Sequence, residues 1–379
     1  MERSQAQPSG RPPGQAGAPE PRRRIAILFG GRSAEHEVSV VSARSVIDAL
    51  DPERFEAVPI GIDREGGWHL LAAPPALPPG SGALAAVEQG TGRTVELDTT
   101  GGSALVAQDG SREPLDVVFP ILHGPFGEDG TVQGMLELAG IPYVGAGVLG
   151  SALGMDKAVQ KVVLAASGLP VVPHVVVPER DWQDDPDDVV AKAAHLGFPL
   201  FAKPASLGSS VGISKVKDPA GLSQAMEECF RYGRKALLER GMEGIREIEC
   251  GVLGNDDPVA SVPGEILPAG EFYDYAAKYL DEATRLVIPA DLPEAVEEEV
   301  QRMAVAAFQA IDAEGMARVD FFLRDPDELI VNEINTIPGF TEVSMYPKLW
   351  EASGLPYADL VDRLVELAVE RHEREAKRG

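Results

Sequence analysis

Four polar residues late in the chain are spaced for metal and phosphate chemistry. Arg318 and Asp320 flank Val319, and Glu333 and Asn335 flank Ile334. On a β-strand residues i and i+2 share a face, so each pair points one way. Asp, Glu and Asn are hard oxygen donors that suit Mg²⁺ held jointly with substrate phosphates. Acids among apolar strand residues are costly unless paired or metal-bound; the competing explanation is a buried Arg–carboxylate network. A second cluster, Phe201 to Ile213, puts Lys203 at a strand end, followed by a small-residue loop through Gly208, Ser209 and Ser210 and then another strand. Small residues let backbone N–H groups close on an anion, and the lysine supplies a point charge. A hairpin with a surface lysine is the bland alternative, but a lysine closing an apolar strand seldom faces a core without a partner.

Two loops occupy matching places after apolar runs: Ser33-Ala34-Glu35-His36-Glu37, and His123 to Gly130. Loops at the carboxyl ends of strands are where α/β sheets bind ligands, although a lone His there is as often a cap. The run Phe272 to Tyr279, with Lys278, is a packed surface hairpin or an active-site lid. Two further motif matches lack their context. Gly145-Ala146-Gly147-Val148-Leu149-Gly150 fits G-x-G-x-x-G, but no strand-ending acid follows at the required spacing, so it reads as a Gly-rich junction. Gly208 to Gly212 fits G-x-S-x-G, but a strand rather than a helix follows, and the only later histidines reduce to His372 in the charged tail. No Walker A pattern occurs, so a phosphate site must be built in another way.

The elements that carry these groups can be read from periodicity. Apolar runs at 25–29, 56–62 and 117–122 are strands, alternating with helices after Ser33 and over 131–139; Tyr143-Val144 is a short strand. This is a parallel sheet covered by helices. Residues 72–114 are Pro/Gly-rich and only loosely strand-like. Next come a helix Lys157 to Ala166, strands at 172–177, 198–203, 213–216 and 236–239, and helices at 187–196 and 219–232. Strands at 246–253, 259–267, 317–323 and 329–334 follow, the last two joined by the turn Asp325-Pro326-Asp327. Val296, Val300, Met303, Ala307, Phe308 and Ile311 mark one amphipathic helix face, and a last helix covers 357–375. Residues 1–24 show no apolar period and read as a disordered tail.

The chain has 379 residues, 44% of them hydrophobic and 25% charged, and a net charge of −26. The hydrophobic and charged fractions are ordinary for a globular protein and the length suits two to three domains, while so acidic a surface argues against a nucleic acid partner. No apolar run is long enough to span a membrane, and the amino-terminal stretch lacks a signal-peptide core. Cys229 and Cys250, the two cysteines, read as reduced structural residues of a cytoplasmic protein.

Taken in order, Gly30-Gly31-Arg32-Ser33-Ala34-Glu35-His36-Glu37-Val38-Ser39, the His123–Gly130 loop, Met155-Asp156-Lys157, the Lys203–Gly212 loop, the Tyr273–Tyr279 run and Asn332-Glu333-Ile334-Asn335-Thr336-Ile337-Pro338-Gly339 resemble the D-alanine–D-alanine ligases of the ATP-grasp superfamily, over residues 25–370. The resemblance implies an α/β, three-domain ATP-grasp architecture. Its parts are an N-terminal parallel-sheet domain (25–152) that binds substrate, a small α+β central domain (153–240) and a C-terminal α+β catalytic domain (241–379), with ATP gripped between the latter two. It also implies that two D-alanines are joined through an acyl phosphate, for peptidoglycan precursor synthesis, by a cytoplasmic homodimer using ATP and two Mg²⁺ or Mn²⁺ ions. The alternatives are a ligase making D-Ala-D-Ser or D-Ala-D-lactate, and a non-catalytic nucleotide-binding regulatory protein.

The same resemblance implies residue roles. Lys157, Lys203 and Lys278 hold ATP phosphates, with Gly208 and Ser209 folding over them. Glu239, Arg240 and Met242 line the adenine side, and Glu247 binds the ribose. Asp320, Glu333 and Asn335 coordinate metal. Arg318 and the Gly339 amide stabilise the tetrahedral oxyanion. Glu37 holds the ammonium of the first D-alanine, linked through Ser209 to Tyr279, with His123 nearby. Ser344 and the Met345 amide receive the second carboxylate. Tyr279, in an Ala277-Lys278-Tyr279 context, points to peptide rather than ester formation.

Overall fold

The computed structural model describes residues 21–76, 85–100, 102–208, 211–267, 285–324 and 327–378. The first twenty residues of the expected tail, Ser209 and Ser210, the whole Phe272–Tyr279 run and most of the turn at Asp325 lie outside them.

Three sheets organise the chain. The first is built on β1 (Arg23–Gly30), whose apolar run Ile25 to Phe29 is fully buried. It begins two residues earlier than expected, because the Arg24 N–H donates to Asp116 at 2.7 Å and the Arg24 guanidinium pairs with Glu56 and Glu113. Helix α1 (His36–Ala49) leads to β2 (Phe55–Ile62), which runs parallel to β1. The loosely read stretch that follows forms antiparallel strands β3 (Trp68–Leu70), β4 (Arg93–Leu97), β5 (Ala104–Ala107) and β6 (Arg112–Pro114). Strand β7 (Val117–Pro120) returns to the other side of β1 in parallel register, and α2 (Thr131–Ala139) covers it.

The Gly-rich run does not stay a loop: Val148–Met155 forms α3. Its glycines serve packing, since a Cβ on Gly150 would come within 2.8 Å of the Asp312 carbonyl oxygen, and one on Gly154 within 2.9 Å of Thr336. Helix α4 (Lys157–Ala166) is capped by Asp156, whose carboxylate accepts from the Ala158 and Val159 N–H groups at 3.2 Å each. The second sheet then assembles from β8 (His174–Pro178), β9 (Leu200–Pro204), β10 (Ser214–Val216) and β11 (Lys235–Arg240), in the order β10-β9-β11-β8. Helices α5 (Glu179–Asp184), α6 (Pro186–Leu196) and α7 (Leu222–Phe230) accompany it, α6 and α7 filling its core with Val189, Ala193, Ala225 and Met226.

The third sheet carries β12 (Ile245–Gly254), β13 (Val259–Ala260), β14 (Gly264–Leu267) and β15 (Arg285–Val287). The expected strand 259–267 breaks at Ser261-Val262-Pro263, where proline offers no N–H to a ladder. Helix α8 (Glu294–Ala310) precedes β16 (Gly315–Arg324) and β17 (Glu328–Asn335), and the chain ends with α9 (Met345–Ala352) and α10 (Tyr357–Ala376). Strand alternation splits the sheet into two chemically distinct faces. Ile248, Cys250, Val252, Val319, Phe321 and Ile334 pack against Val300, Met303, Ala307 and Phe308 of α8. The opposite face carries the charges.

Candidate active site

The charged face is set by register. Glu249 on β12 is opposite Asp320 on β16, which is opposite Glu333 on β17; one step along, Arg318 is opposite Asn335. A bulge after Asp320 produces this alignment: Asp320 pairs with Glu333 but Phe321 with Val331, leaving Asn332 without a cross-strand partner. Arg318 donates to both oxygens of Asp320 at 2.7 Å and also pairs with Glu249 at 2.9 Å, and the Asn335 amide donates to Asp320 at 3.0 Å. A bidentate guanidinium fixes both groups in direction as well as distance.

A second wall comes from the parallel strands β1 and β7, whose carboxyl ends lie side by side and so project neighbouring loops. His36 is fully buried and structural: its Nδ1 bonds the Gly31 carbonyl at 2.7 Å, and its Nε2 accepts the Val87 N–H at 2.9 Å. Two acids flank it. Glu37 turns away and ion-pairs with Arg64. Glu35 faces inward, close enough to both loops that a Cβ on Gly124 or Gly208 would approach its Oε2 to 3.1 or 3.2 Å. His123 is buried, with Nδ1 at 3.1 Å from the Ile337 carbonyl oxygen and 3.6 Å from Glu128; its Nε2 makes no hydrogen bond among the described residues. Burial opposes the imidazolium, but Glu128, together with Glu35 and the Ile337 carbonyl, outweighs it and raises the histidine's pKa.

The roof holds the lysines. Asp156 also accepts from Ser206 and pairs with Lys235, so the start of α4 is tied to the second sheet. Lys157, the first residue of α4, donates to the Leu207 carbonyl and pairs with Glu333, both at 3.1 Å. Burial opposes its charge; Glu333, joined by Glu239 and Glu128, more than offsets this, and its pKa is raised. Lys203 on β9 is opposite Leu237 on β11, and its side chain reaches diagonally to pair with Glu239 two residues along that strand. Lys161, one turn after Lys157, lies on the other side of Glu239 at 2.7 Å. Burial opposes a charged Glu239, yet the two lysines hold its carboxyl down at about 2.

These walls meet in one cleft lined by Glu35, His123 and Glu128, by Gly208, by Glu249, Arg318, Glu333 and Asn335, and by Gly339, Ser344 and Met345. Ser344 and Met345 open α9; the Ser344 N–H donates to the Thr341 carbonyl at 2.9 Å and Pro347 has none, so the helix start offers an anion the N–H groups of Met345 and Tyr346. Thr341 fixes the loop before it, its hydroxyl 2.8 Å from that of Ser344. Of the expected residues, Glu247 shares the charged face of β12. The Glu239 side chain is committed to the two lysines, and the Arg240 guanidinium bonds the Leu196 carbonyl at 2.9 Å on the side of α6. Met242 is half-buried in the loop after β11. Glu37 is not brought to the cleft, and Ser209, Lys278 and Tyr279 lie outside the described residues.

The sequence pointed to Glu37 rather than Glu35, and did not single out Glu128 and Glu249 as cleft residues or the buried Lys161 as a partner of Glu239. Glu249 had a signal, since it lies two residues from Glu247 on an otherwise apolar strand. Lys161 had one too, four residues after Lys157 on the same helix face.

Three sheets, with Lys157 set against the acid-and-arginine face of the third and Lys203 held in the second, match the architecture of the ATP-grasp ligases. Family models agree: residues 24–146 match "D-ala D-ala ligase N-terminus" and residues 163–366 match "D-ala D-ala ligase C-terminus". A D-alanine–D-alanine ligase of Heliobacterium modesticaldum is 49% identical over 94% of this chain and 97% of its own length. One of Streptomyces coelicolor is 49% identical over 92% and 93%. The solved D-alanine-D-alanine ligase of Coxiella burnetii superposes with a TM-score of 0.82 at 40% identity, covering 94% of this chain and 96% of its own. The VanG D-Ala:D-Ser ligase of Enterococcus faecalis gives 0.80 at 33%, covering 92% and 100%. The chain belongs to the D-alanine–D-alanine ligase family and is an ATP-dependent, ADP-forming ligase.

Proposed function

We propose that this enzyme condenses two D-alanines in the cleft described above, through an acyl phosphate. A carboxylate is a poor electrophile until one of its oxygens becomes a good leaving group. Transfer of the γ-phosphoryl group from ATP to the first D-alanine carboxylate achieves this. The amine of the second D-alanine then attacks the carbonyl carbon, and phosphate leaves. The observation that carries this reading is the meeting of Glu35 and His123 from the first sheet with Arg318, Gly339 and the start of α9 in a single cleft. We assign the first ammonium to Glu35 rather than Glu37, because only Glu35 lines the cleft. Lys157 and Lys203, with Lys278, hold the phosphates under the Gly208-Ser209 loop; Glu239, Arg240 and Met242 supply the adenine side and Glu247 the ribose. Arg318 and the Gly339 N–H stabilise the developing oxyanion, and the α9 start, at Ser344 and Met345, takes the second carboxylate.

Asp320, Glu333 and Asn335 are the residues that would hold Mg²⁺ or Mn²⁺. Among the described residues no three His, Cys, Asp or Glu side chains form a metal cage of their own. Oxygen donors of this kind suit an ion shared with phosphates. When bound, such an ion neutralises charge along the phosphoryl path. We further infer a division into substrate-binding (25–152), central (153–240) and C-terminal (241–379) domains, a homodimer and a cytoplasmic setting, on family membership. Among the described residues no helix is long and apolar enough to cross a membrane.

The test is product identity. Protein, ATP and Mg²⁺ are incubated with D-alanine, then with equal D-serine or D-lactate added, and the products are identified by mass spectrometry. D-alanyl-D-alanine with one ADP per dipeptide is expected. ADP release without that dipeptide, or a mixed product in excess, would overturn the substrate assignment.

A further inference from the structure

Of the three lysines assigned to ATP phosphates, the two among the described residues are engaged elsewhere. Lys157 leans on Glu333, and Lys203 leans on Glu239. Each must release a carboxylate to reach a phosphate, and a released carboxylate needs another cation. Glu333 lies on the charged face beside Asp320, where a divalent ion can replace the lysine. Glu239 cannot be relieved in that way: it is 3% exposed and enclosed between β9 and α4. Its other neighbour is Lys161.

We propose that Lys161 is a positioning residue for ATP binding: as the resident counter-ion of Glu239, it lets Lys203 leave that carboxylate for a phosphate. The assignment rests on the nucleotide reading above. Lys161 is 1% exposed and cannot itself reach a ligand. Its ammonium is held at two points, by Glu239 at 2.7 Å and by the Asn332 carbonyl at 2.8 Å. Asn332 is the bulged residue of β17, the one position whose cross-strand place is empty. The bulge that aligns Glu333 with Asp320 thus also serves Lys161, which ties the second sheet to the third. Lys161, Glu239 and Lys203 together carry one net positive charge. Without Lys161 the remaining pair is neutral, and Lys203 has no reason to part from Glu239.

The test compares ATP with adenosine, which lacks phosphates, by calorimetry on the full chain. Lys161→Met should weaken ATP by about tenfold or more, the worth of one unit charge near a phosphate, and leave adenosine within about twofold. In steady state the KM for ATP should rise while the KM for D-alanine holds. Lys161→Met combined with Glu239→Gln should recover most of the ATP affinity, because no carboxylate then retains Lys203. Equal weakening of ATP and adenosine would mean a merely structural lysine and overturn the proposal, as would unchanged ATP affinity or no recovery in the double variant. If Lys161→Met does not fold, Glu239→Gln alone decides: ATP should tighten relative to adenosine, and an unchanged ratio overturns the proposal. A wild-type chain that binds adenosine and ATP equally would instead overturn the phosphate roles of the lysines themselves.

Discussion

Substituting each of the two neighbouring acids of the first loop, Glu35→Gln and Glu37→Gln, separates what the cleft geometry requires from what the motif alone suggests. Glu37 is paired with Arg64, and the two side chains are 24% and 48% exposed. An exposed pair of this kind is worth about 0–1 kcal/mol, so Glu37→Gln should change the D-alanine KM by less than about fivefold. Glu35 is 8% exposed and lines the cleft against Gly124 and Gly208. A hydrogen bond between a buried carboxylate and a substrate ammonium contributes about 1.5–3 kcal/mol, which is roughly ten- to more than a hundredfold in affinity. The amide isostere keeps the volume and removes the charge, so the loss should fall on the first D-alanine site. Initial rates of ADP release over a wide D-alanine range, fitted to two sequential sites, give the two constants separately. A large effect of Glu37→Gln with a small one of Glu35→Gln would refute the assignment.

Three further outcomes follow from the same geometry. Arg318→Lys removes the bidentate contact with Asp320 and should lower kcat by about 10²–10³ with little change in the KM for ATP; retention of kcat in steady-state assays would exclude an oxyanion role. The raised pKa of His123 makes its imidazolium a stabilising partner of Glu128, fully so below the unfolded value of about 6.5 and decreasingly as pH rises through the higher folded value. Thermal melts of Glu128→Gln should therefore lose more against wild type at pH 6 than at pH 9, and a pH-independent difference would contradict the pairing. Burial pushes the Cys229 and Cys250 thiols up to about 12, so iodoacetamide at pH 8 should label neither in the native protein and both after denaturation, read by intact mass.

The strands and helices whose burial is one-sided or complete were legible in the sequence. Ile25 to Phe29, Val117 to Pro120 and the Val296–Phe308 face owe their pattern to packing, and packing is what periodicity records. The charged strand pairs were legible for the same reason, since alternation alone puts Arg318 with Asp320 and Glu333 with Asn335. What escaped depends on contacts far apart in the chain. Helix α3 was hidden by Gly150 and Gly154, which are there because Asp312 and Thr336 press on them. Helix α9 carries Pro347 in its first turn, where proline costs no hydrogen bond but reads as a breaker. Glu35 and Glu37 are alike as letters. They differ only in that residues two apart at a helix start face different ways, and which way is inward is decided by where β7 and the Gly208 loop lie. Lys161 makes sense only once β17 supplies the Asn332 carbonyl and β11 supplies Glu239.

Isotope transfer tests most directly whether the first D-alanine is activated as an acyl phosphate in this cleft. D-alanine labelled with ¹⁸O in its carboxylate is turned over with ATP and a divalent ion, and the released phosphate and nucleotide are examined by mass spectrometry. An acyl phosphate must pass one labelled oxygen to inorganic phosphate for each dipeptide formed, with ADP as the nucleotide product. Unlabelled phosphate, or label appearing in AMP, would contradict the account.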